Sequence, residues 1–334
     1  MLNRILVSIA QGRVPISERC LRVVFAIAAD VAWLFGIGGV RQLERNLSHV
    51  PDQHGLHRSH HELRRLSRRN MHAYFDYFVE AMTVGSRDRA QLLARVRGDG
   101  DGLASLVELI NANPGAAPLA MGHQGNWDYA GLWAHDALAP VTTIAERLDD
   151  AALLNAFVSI REQLGMTVVL TGQSGLVRRL EQALGQPHVL VPLLADRDLS
   201  VNGEFVQAFD SVIRVARGPA TLAYDMELPL YVANIYRERL HGDRRRLAGS
   251  RHGYVVQISG PVDIDRYRSW RREPAIRAIS QAWVDVWSRG IAANPQDWHM
   301  LQPLFLEDLD LRRLHDVPDD IAERAEQLRR HGRK

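Results

Sequence analysis

The chain has 334 residues, 46% of them apolar, enough for one large core or two smaller ones. Its formal net charge is only +2, from 41 basic and 39 acidic side chains, which argues against nucleic acid or any other general polyanion as partner. The one cysteine, Cys20, rules out an intramolecular disulfide and any metal site built on several cysteines, and it fits a reducing compartment.

In chain order, the first feature is "LRVVFAIAADVAWLFGIGGV", Leu21 to Val40. Its length approaches a membrane span, but Arg22, Asp30 and three glycines argue against one, since a charge at mid-bilayer costs about 2.5–3.5 kcal/mol on insertion scales. No small-x-small cleavage site follows, so it does not read as a signal peptide. The expectation is a membrane-associating helix lying in or dipping into one leaflet, within an N-terminal region 1–45; a buried core helix is the alternative. Residues 41–96 read as helical, with apolar and aromatic positions of "HELRRLSRRNMHAYFDYFVEAM" three and four apart, until "RGDGDG" breaks the pattern.

Beyond the glycines, strands and helices alternate. "PLAMG", "VTTIAE", "MTVVLTG" and "HVLVPLLAD" read as strands, separated by helices in "NWDYAGLWAHDAL", "LLNAFVSIREQLG" and "LVRRLEQALG". A "GPATLAYDMEL" helix, strands "PLYVANIY" and "YVVQISGPV" and a long helix around "AIRAISQAWVDVWSRGIAAN" follow. This order predicts an α/β fold, with a central mostly parallel sheet flanked by helices, over residues 46–310. Residues 311–334 form a charged helical tail. Basic runs such as "RSHHELRRLSRRN" and "RERLHGDRRRLAGSR" are solvated faces or, next to so apolar an N-terminus, an anionic membrane surface.

Several motif fragments fail. "HHELRR" has Arg65 where a zinc-protease helix needs its second histidine, and the histidines from His49 to His61 lack the carboxylates that would complete a metal site, so no metal is expected. "GQSGL" has Leu176 where a nucleophile elbow needs glycine, and "GIGG" does not follow a strand. What remains is "HQGNWD". In open α/β sheets functional groups sit at the carboxyl ends of strands, and His123 ends one strand while Asp196 ends another. A histidine accepts a proton near neutral pH and works best when a carboxylate fixes its tautomer. Gly125 permits a tight turn, Asn126 caps the following helix, and Asp128 falls in its first turn. That suits His123 as general base with Asp128 orienting it; a core histidine with a capping aspartate is the competing reading.

His123-x4-Asp128 resembles the signature of the glycerolipid acyltransferases, and in particular the branch holding the lipid A biosynthesis acyltransferases and the phosphatidylinositol mannoside acyltransferases. The similarity runs in order through "RQLERNL", "HQGNWDYAG", "TTIAERL", "IREQLGM", "VPLLADRDLSVNGEFVQAFD", "ARGPATLA" and "NPQDWHMLQP". Gly-Asn-Trp-Asp and "ADRDLS" are more similar to the mannoside enzymes. The resemblance implies transfer of a fatty acyl chain from acyl-CoA, palmitoyl-CoA foremost, to a sugar hydroxyl of a membrane glycolipid. It implies no acyl-enzyme and no resident cofactor, with the enzyme held peripherally or monotopically on the cytoplasmic face of the cell membrane. It places Gly125, Asn126, Glu146, Arg147 and Arg161 around the substrate. Asp196 then becomes the candidate second carboxylate near the histidine, Glu204 its reserve, and Arg197 a phosphate or thioester ligand beside Asp198. Three alternatives stay open: a lipid A-type acceptor served by acyl carrier protein or acyl-CoA, a non-catalytic lipid-binding relative, and a thioester hydrolase.

Overall fold

The computed structural model describes residues 17–147, 149–172, 175–198, 200, 202–314 and 317–331; residues 1–16 of the N-terminal region, Gln173 and Ser174 of "GQSGL" and residues 332–334 of the tail lie outside them. The apolar N-terminal segment is two helices rather than one. Helix α1 (Glu18–Phe35) starts at a Ser17 cap and stops at Gly36, whose left-handed backbone (φ 64°) turns its N–H onto the Ala32 and Trp33 carbonyls. Helix α2 (Val40–His49) leaves at 77°. The break is tight because Gly39, also left-handed, sits on Leu301; a Cβ there would lie 2.7 Å from the Leu301 carbonyl oxygen. No single described helix is long and apolar enough to cross a membrane. The inner side of α1 buries Leu21, Ala29 and Ala32, whereas Val23, Val24, Ile27, Val31, Leu34 and Phe35 are exposed.

Helix α3 (His60–Thr83) runs beside α1 from a reciprocal Ser59–Glu62 capping box. After the short α4 (Arg89–Leu93), the "RGDGDG" stretch supplies β1 (Val96–Asp99) instead of a plain break, and Gly100 passes so close to Ile258 that a Cβ would lie 2.2 Å from its carbonyl. Then follow α5 (Leu103–Asn111), β2 (Ala116–Met121), α6 (Trp127–Ala137), β3 (Thr142–Ala145), α7 (Ala151–Gln163), β4 (Thr167–Leu170), α8 (Leu176–Leu184) and β5 (Val189–Leu194). An antiparallel hairpin that the sequence reading did not anticipate, β6 (Glu204–Ala208) and β7 (Ser211–Val215), occupies "EFVQAFDSVIRV". The remaining elements are α9 (Gly218–Asp225), β8 (Leu230–Arg239), α10 (Gly242–Ala248), β9 (His252–Val262), α11 (Arg272–Ala293) and α12 (Asp319–His331).

The central sheet has order β1-β9-β8-β2-β5, parallel except between β8 and β9, and β3 pairs with β4 in a small parallel sheet beside it. Its neighbouring strands β2 and β5 read as unbroken apolar runs because both their faces are covered. Alternate residues feed the two main core clusters. Ala120, Leu230 and Val232 face α1, α2 and α11; Leu119, Met121, Tyr231 and Ala233 face α5 and α6. Three fully buried tryptophans on the first side, Trp283, Trp287 and Trp298, form the mass against which the carboxyl end of the sheet is built. In the tail, Ile321 and Ala325 of α12 pack against Val212 and Leu306.

Candidate active site

β2 and β5 are parallel neighbours with Met121 opposite Leu194, and the ladder continues as Ala195 donates its N–H to the Met121 carbonyl. Two residues on, His123 and Asp196 therefore stand side by side above the carboxyl ends of their strands. Asp196 Oδ1 meets His123 Nδ1 at 2.6 Å, and its Oδ2 accepts both the His123 backbone N–H and the Trp298 indole N–H, each at 3.0 Å. The carboxylate is fully buried while the imidazole is a third exposed. Three donors converge on one buried carboxylate, so the ring is held with a proton on Nδ1 and its Nε2 lone pair toward the pocket. Gly122 makes the approach possible: a Cβ there would lie 2.8 Å from Asp196 Oδ2 and 2.4 Å from the Trp287 ring nitrogen.

The turn itself is pinned by backbone bonds. Gly125 (φ 62°) donates to the Asp297 carbonyl, and His299 donates its backbone N–H to the His123 carbonyl at 2.7 Å. Asn126 is wholly buried, caps α6 by accepting from the Tyr129 N–H at 3.0 Å, and donates to Glu80 at 2.9 Å. Gly125 and Asn126 thus build the turn, rather than forming part of a pocket lining.

Asp128 stands apart from the histidine ring. Its Oδ1 accepts from Arg161 at 2.8 Å and its Oδ2 from the Tyr77 hydroxyl at 2.9 Å, so both oxygens are engaged on the side of α6 facing α3 and α7. The expected pairing of His123 with Asp128 is therefore replaced by pairing with Asp196. The cause is geometric: the first turn of α6 aims Asp128 away from β5, while the strand register brings Asp196 directly to Nδ1. Burial works against the Arg161 charge, but Asp128 outweighs it and holds its pKa above the ordinary arginine value. Burial, then the Asp128 charge, pushes the Tyr77 phenol well up, which keeps it a donor.

Two pockets share a wall near the turn, and His123 lines one of them. The first is polar at its mouth and is lined by His123, Glu146, Arg161, Arg197 and His299 together with Tyr74, Phe78, Leu301 and Gln302. Arg197 makes no ion pair among the described residues, and Glu146 is exposed. The second is an apolar slot under α6, lined by Ala130, Gly131, Ala134, Leu138, Met166 and sheet residues such as Leu119 and Met121. Trp127, Ile144, Arg161 and Leu194 line both. Trp127 sets its ring edge-to-face on His123 with centroids 5.8 Å apart and stacks obliquely on Tyr77 at 4.3 Å. Gly131 keeps the slot's wall low, since a Cβ there would lie 2.2 Å from the Met166 sulfur.

The remaining candidates lie elsewhere. Arg147 is exposed and donates its backbone N–H to Thr171. Asp198 is tied to Arg214 and Ser200, and Glu204 faces Arg217 and Arg277 in a separate polar cavity against α11. His299 and Trp298, by contrast, belong to the site although the sequence reading assigned them no role. The only signal was their place in "NPQDWHMLQP". Burial, then the nearby Arg237 charge, pushes the His299 pKa down to about 3, so it stays neutral.

A strand-end histidine braced by a buried carboxylate, in a pocket that shares a wall with an apolar slot, is the setting for similarity with known proteins. Residues 14–307 match the family described as bacterial lipid A biosynthesis acyltransferase. The chain belongs to that family. It is also 32% identical over 286 residues to the phosphatidylinositol mannoside acyltransferase of Mycolicibacterium smegmatis, covering 81% of each chain. With the enzyme of the same description from Mycobacterium tuberculosis it shares 32% identity over 285 residues, 81% of this chain and 79% of the relative.

The two aspartates separate experimentally. Asp196→Asn keeps the volume but favours the wrong histidine tautomer, and is expected to lower kcat by about 10³–10⁴-fold with little change in melting temperature. Asp128→Asn strips Arg161 of its partner, and is expected to cost about 3 kcal/mol of stability in a denaturant titration. His299 sets an acid limit. Between its unfolded pKa of about 6.5 and its folded value of about 3, the unfolded chain binds the extra proton, so stability falls as pH falls through that window. His299→Gln should flatten this part of the stability–pH curve while leaving the alkaline side alone.

Proposed function

We propose that this acyltransferase moves a long fatty acyl group from acyl-CoA to a sugar hydroxyl of a membrane glycolipid of the phosphatidylinositol mannoside class. The observation that carries this reading is that His123 lines a pocket with a polar mouth, and that Trp127, Ile144, Arg161 and Leu194 are shared between this pocket and an apolar slot. A thioester carbonyl placed there would have its chain in the slot and the acceptor hydroxyl at the mouth. The slot's lining is almost wholly apolar, from Ala130, Gly131, Ala134 and Leu138 to Met166 and Leu190, which suits an acyl chain and no polar group.

In this reaction His123 Nε2 removes the hydroxyl proton as the oxygen attacks the thioester carbon. Asp196 stabilises the imidazolium that results. Collapse of the tetrahedral intermediate forms the ester bond and breaks the carbon–sulfur bond, and the leaving sulfur takes the proton back from the imidazolium. Balance is complete, with no acyl-enzyme and no resident cofactor. Arg197, cationic and without an ion pair among the described residues, is the group for the developing oxyanion or a donor phosphate. Glu146 and Arg161 face the sugar.

The acceptor is reached from the membrane. The exposed apolar side of α1 would lie on the cytoplasmic leaflet, peripherally or monotopically, beside the exposed Arg65, Arg68 and Arg69 of α3. Leu301, on which the α1–α2 turn rests, also lines the pocket that holds His123, which supports entry of the acceptor from this side.

The test is transfer from palmitoyl-CoA to purified phosphatidylinositol mannosides. Wild type is expected to yield acylated lipid and His123→Ala to lose at least about 10²-fold in kcat. Transfer only to a lipid A-type acceptor would move the enzyme to the other branch of its family. Thioester hydrolysis that an added acceptor does not suppress would refute transfer altogether.

A further inference from the structure

Two neighbouring residues of the catalytic turn are held from behind by ionic rails that meet on one arginine of α1. Arg22 donates to Asp76 at 2.8 Å and to Glu80 at 2.9 Å, the two carboxylates one turn apart on α3. Along the first rail, Glu80 Oε2 accepts the Asn126 amide at 2.9 Å and the Tyr254 hydroxyl at 2.7 Å. Along the second, Asp76 accepts from Arg237 at 3.2 Å, Arg237 donates to the Asp297 carboxylate at 2.9 Å, and the Asp297 carbonyl accepts the Gly125 N–H at 2.8 Å. Nothing in the reaction described above uses Glu80, although it is 1% exposed and charged groups so buried are otherwise costly.

The orientation of Asn126 explains its use. An asparagine amide has a donor end and an acceptor end, and only one arrangement caps α6, with Oδ1 on the Tyr129 N–H. Glu80 is acceptor-only, so it admits the NH₂ end of Asn126 and forces Oδ1 toward the helix. The helix so started carries Trp127 against the His123 ring and Asp128 against Arg161 and Tyr77. We propose that Glu80 is a positioning residue for the catalytic turn, acting through Asn126, and that Arg22 holds it there, so that the seating of α1 on α3 is a condition of turnover. This rests on the reading of His123 as the base.

The test exchanges the two ends of one hydrogen bond. Glu80→Gln offers Asn126 a donor as well as an acceptor and permits the amide to flip, with kcat expected to fall by about 10²-fold and KM for palmitoyl-CoA to hold. Asn126→Asp sets two carboxylates together and is expected to fall at least as far. In the double variant, Glu80→Gln with Asn126→Asp, the new amide on α3 donates to the new carboxylate of the turn. The second oxygen of that carboxylate caps α6, and the buried charge is the same as in wild type. Its kcat is expected to recover to within about tenfold of wild type, the strong coupling of contacting residues. Tyr254→Phe removes the other bond to Glu80 without touching Asn126, and is expected to lower the melting temperature while sparing kcat. Should Asn126→Asp fail to fold, Glu80→Gln and the double variant still decide. Normal turnover in Glu80→Gln, no recovery in the double variant, or an equal loss in Tyr254→Phe each overturns the inference while leaving the reaction assigned above in place. Wild type inactive on every acceptor overturns that reaction and, with it, the catalytic meaning of Glu80.

Discussion

The parallel pairing of β2 with β5 is the constraint on which the site depends. Because Met121 lies opposite Leu194, the residues two steps beyond each strand emerge together, and one of them is a histidine and the other a carboxylate. A slip of one residue would turn Asp196 to the opposite face of the sheet and leave a buried, unpaired carboxylate there. The two-sided apolar packing of both strands resists that slip. The geometry of the His123–Asp196 pair and the core register are thus one property, seen at the end and in the middle of the same ladder.

The second requirement is a rigid support on the far side of the turn. Trp298 gives its indole N–H to Asp196, Trp287 packs against Gly122, and the Asp297 and His299 backbones are bonded to Gly125 and His123. A single short segment, Asp297 to His299, therefore braces both halves of the dyad from behind. With the Glu80 and Asp76 rails it leaves the turn little room to move, which fixes the His123 ring relative to the pocket it lines.

α1 serves two environments. Its inward side joins the polar network through Arg22, and its outward side exposes a run of branched and aromatic side chains. A helix that meets solvent or lipid with one face and a buried ion network with the other transmits its placement inward, since the guanidinium cannot leave without taking the cation from the buried Glu80.

Much of this was legible beforehand. Alternating apolar runs and helical periods foretold the α/β sheet, because period and burial are local properties of the chain. The strand-end positions of His123 and Asp196 were also legible, as was the apolar outward character of the N-terminal segment. The β6–β7 hairpin was not, since "EFVQAFDSVIRV" mixes polar and apolar residues and gains its strand form by packing on α11. Nor was the break of the N-terminal helix at Gly36. The partner of the histidine was decided by the tertiary structure alone: Asp128 is five residues from His123 and Asp196 seventy-three, yet helix direction turns the nearer carboxylate away and strand register delivers the distant one. Sequence by itself determined which residue types the site has, and the sheet determined which of them touch, because contact between strand ends depends on a pairing that no local stretch of chain encodes.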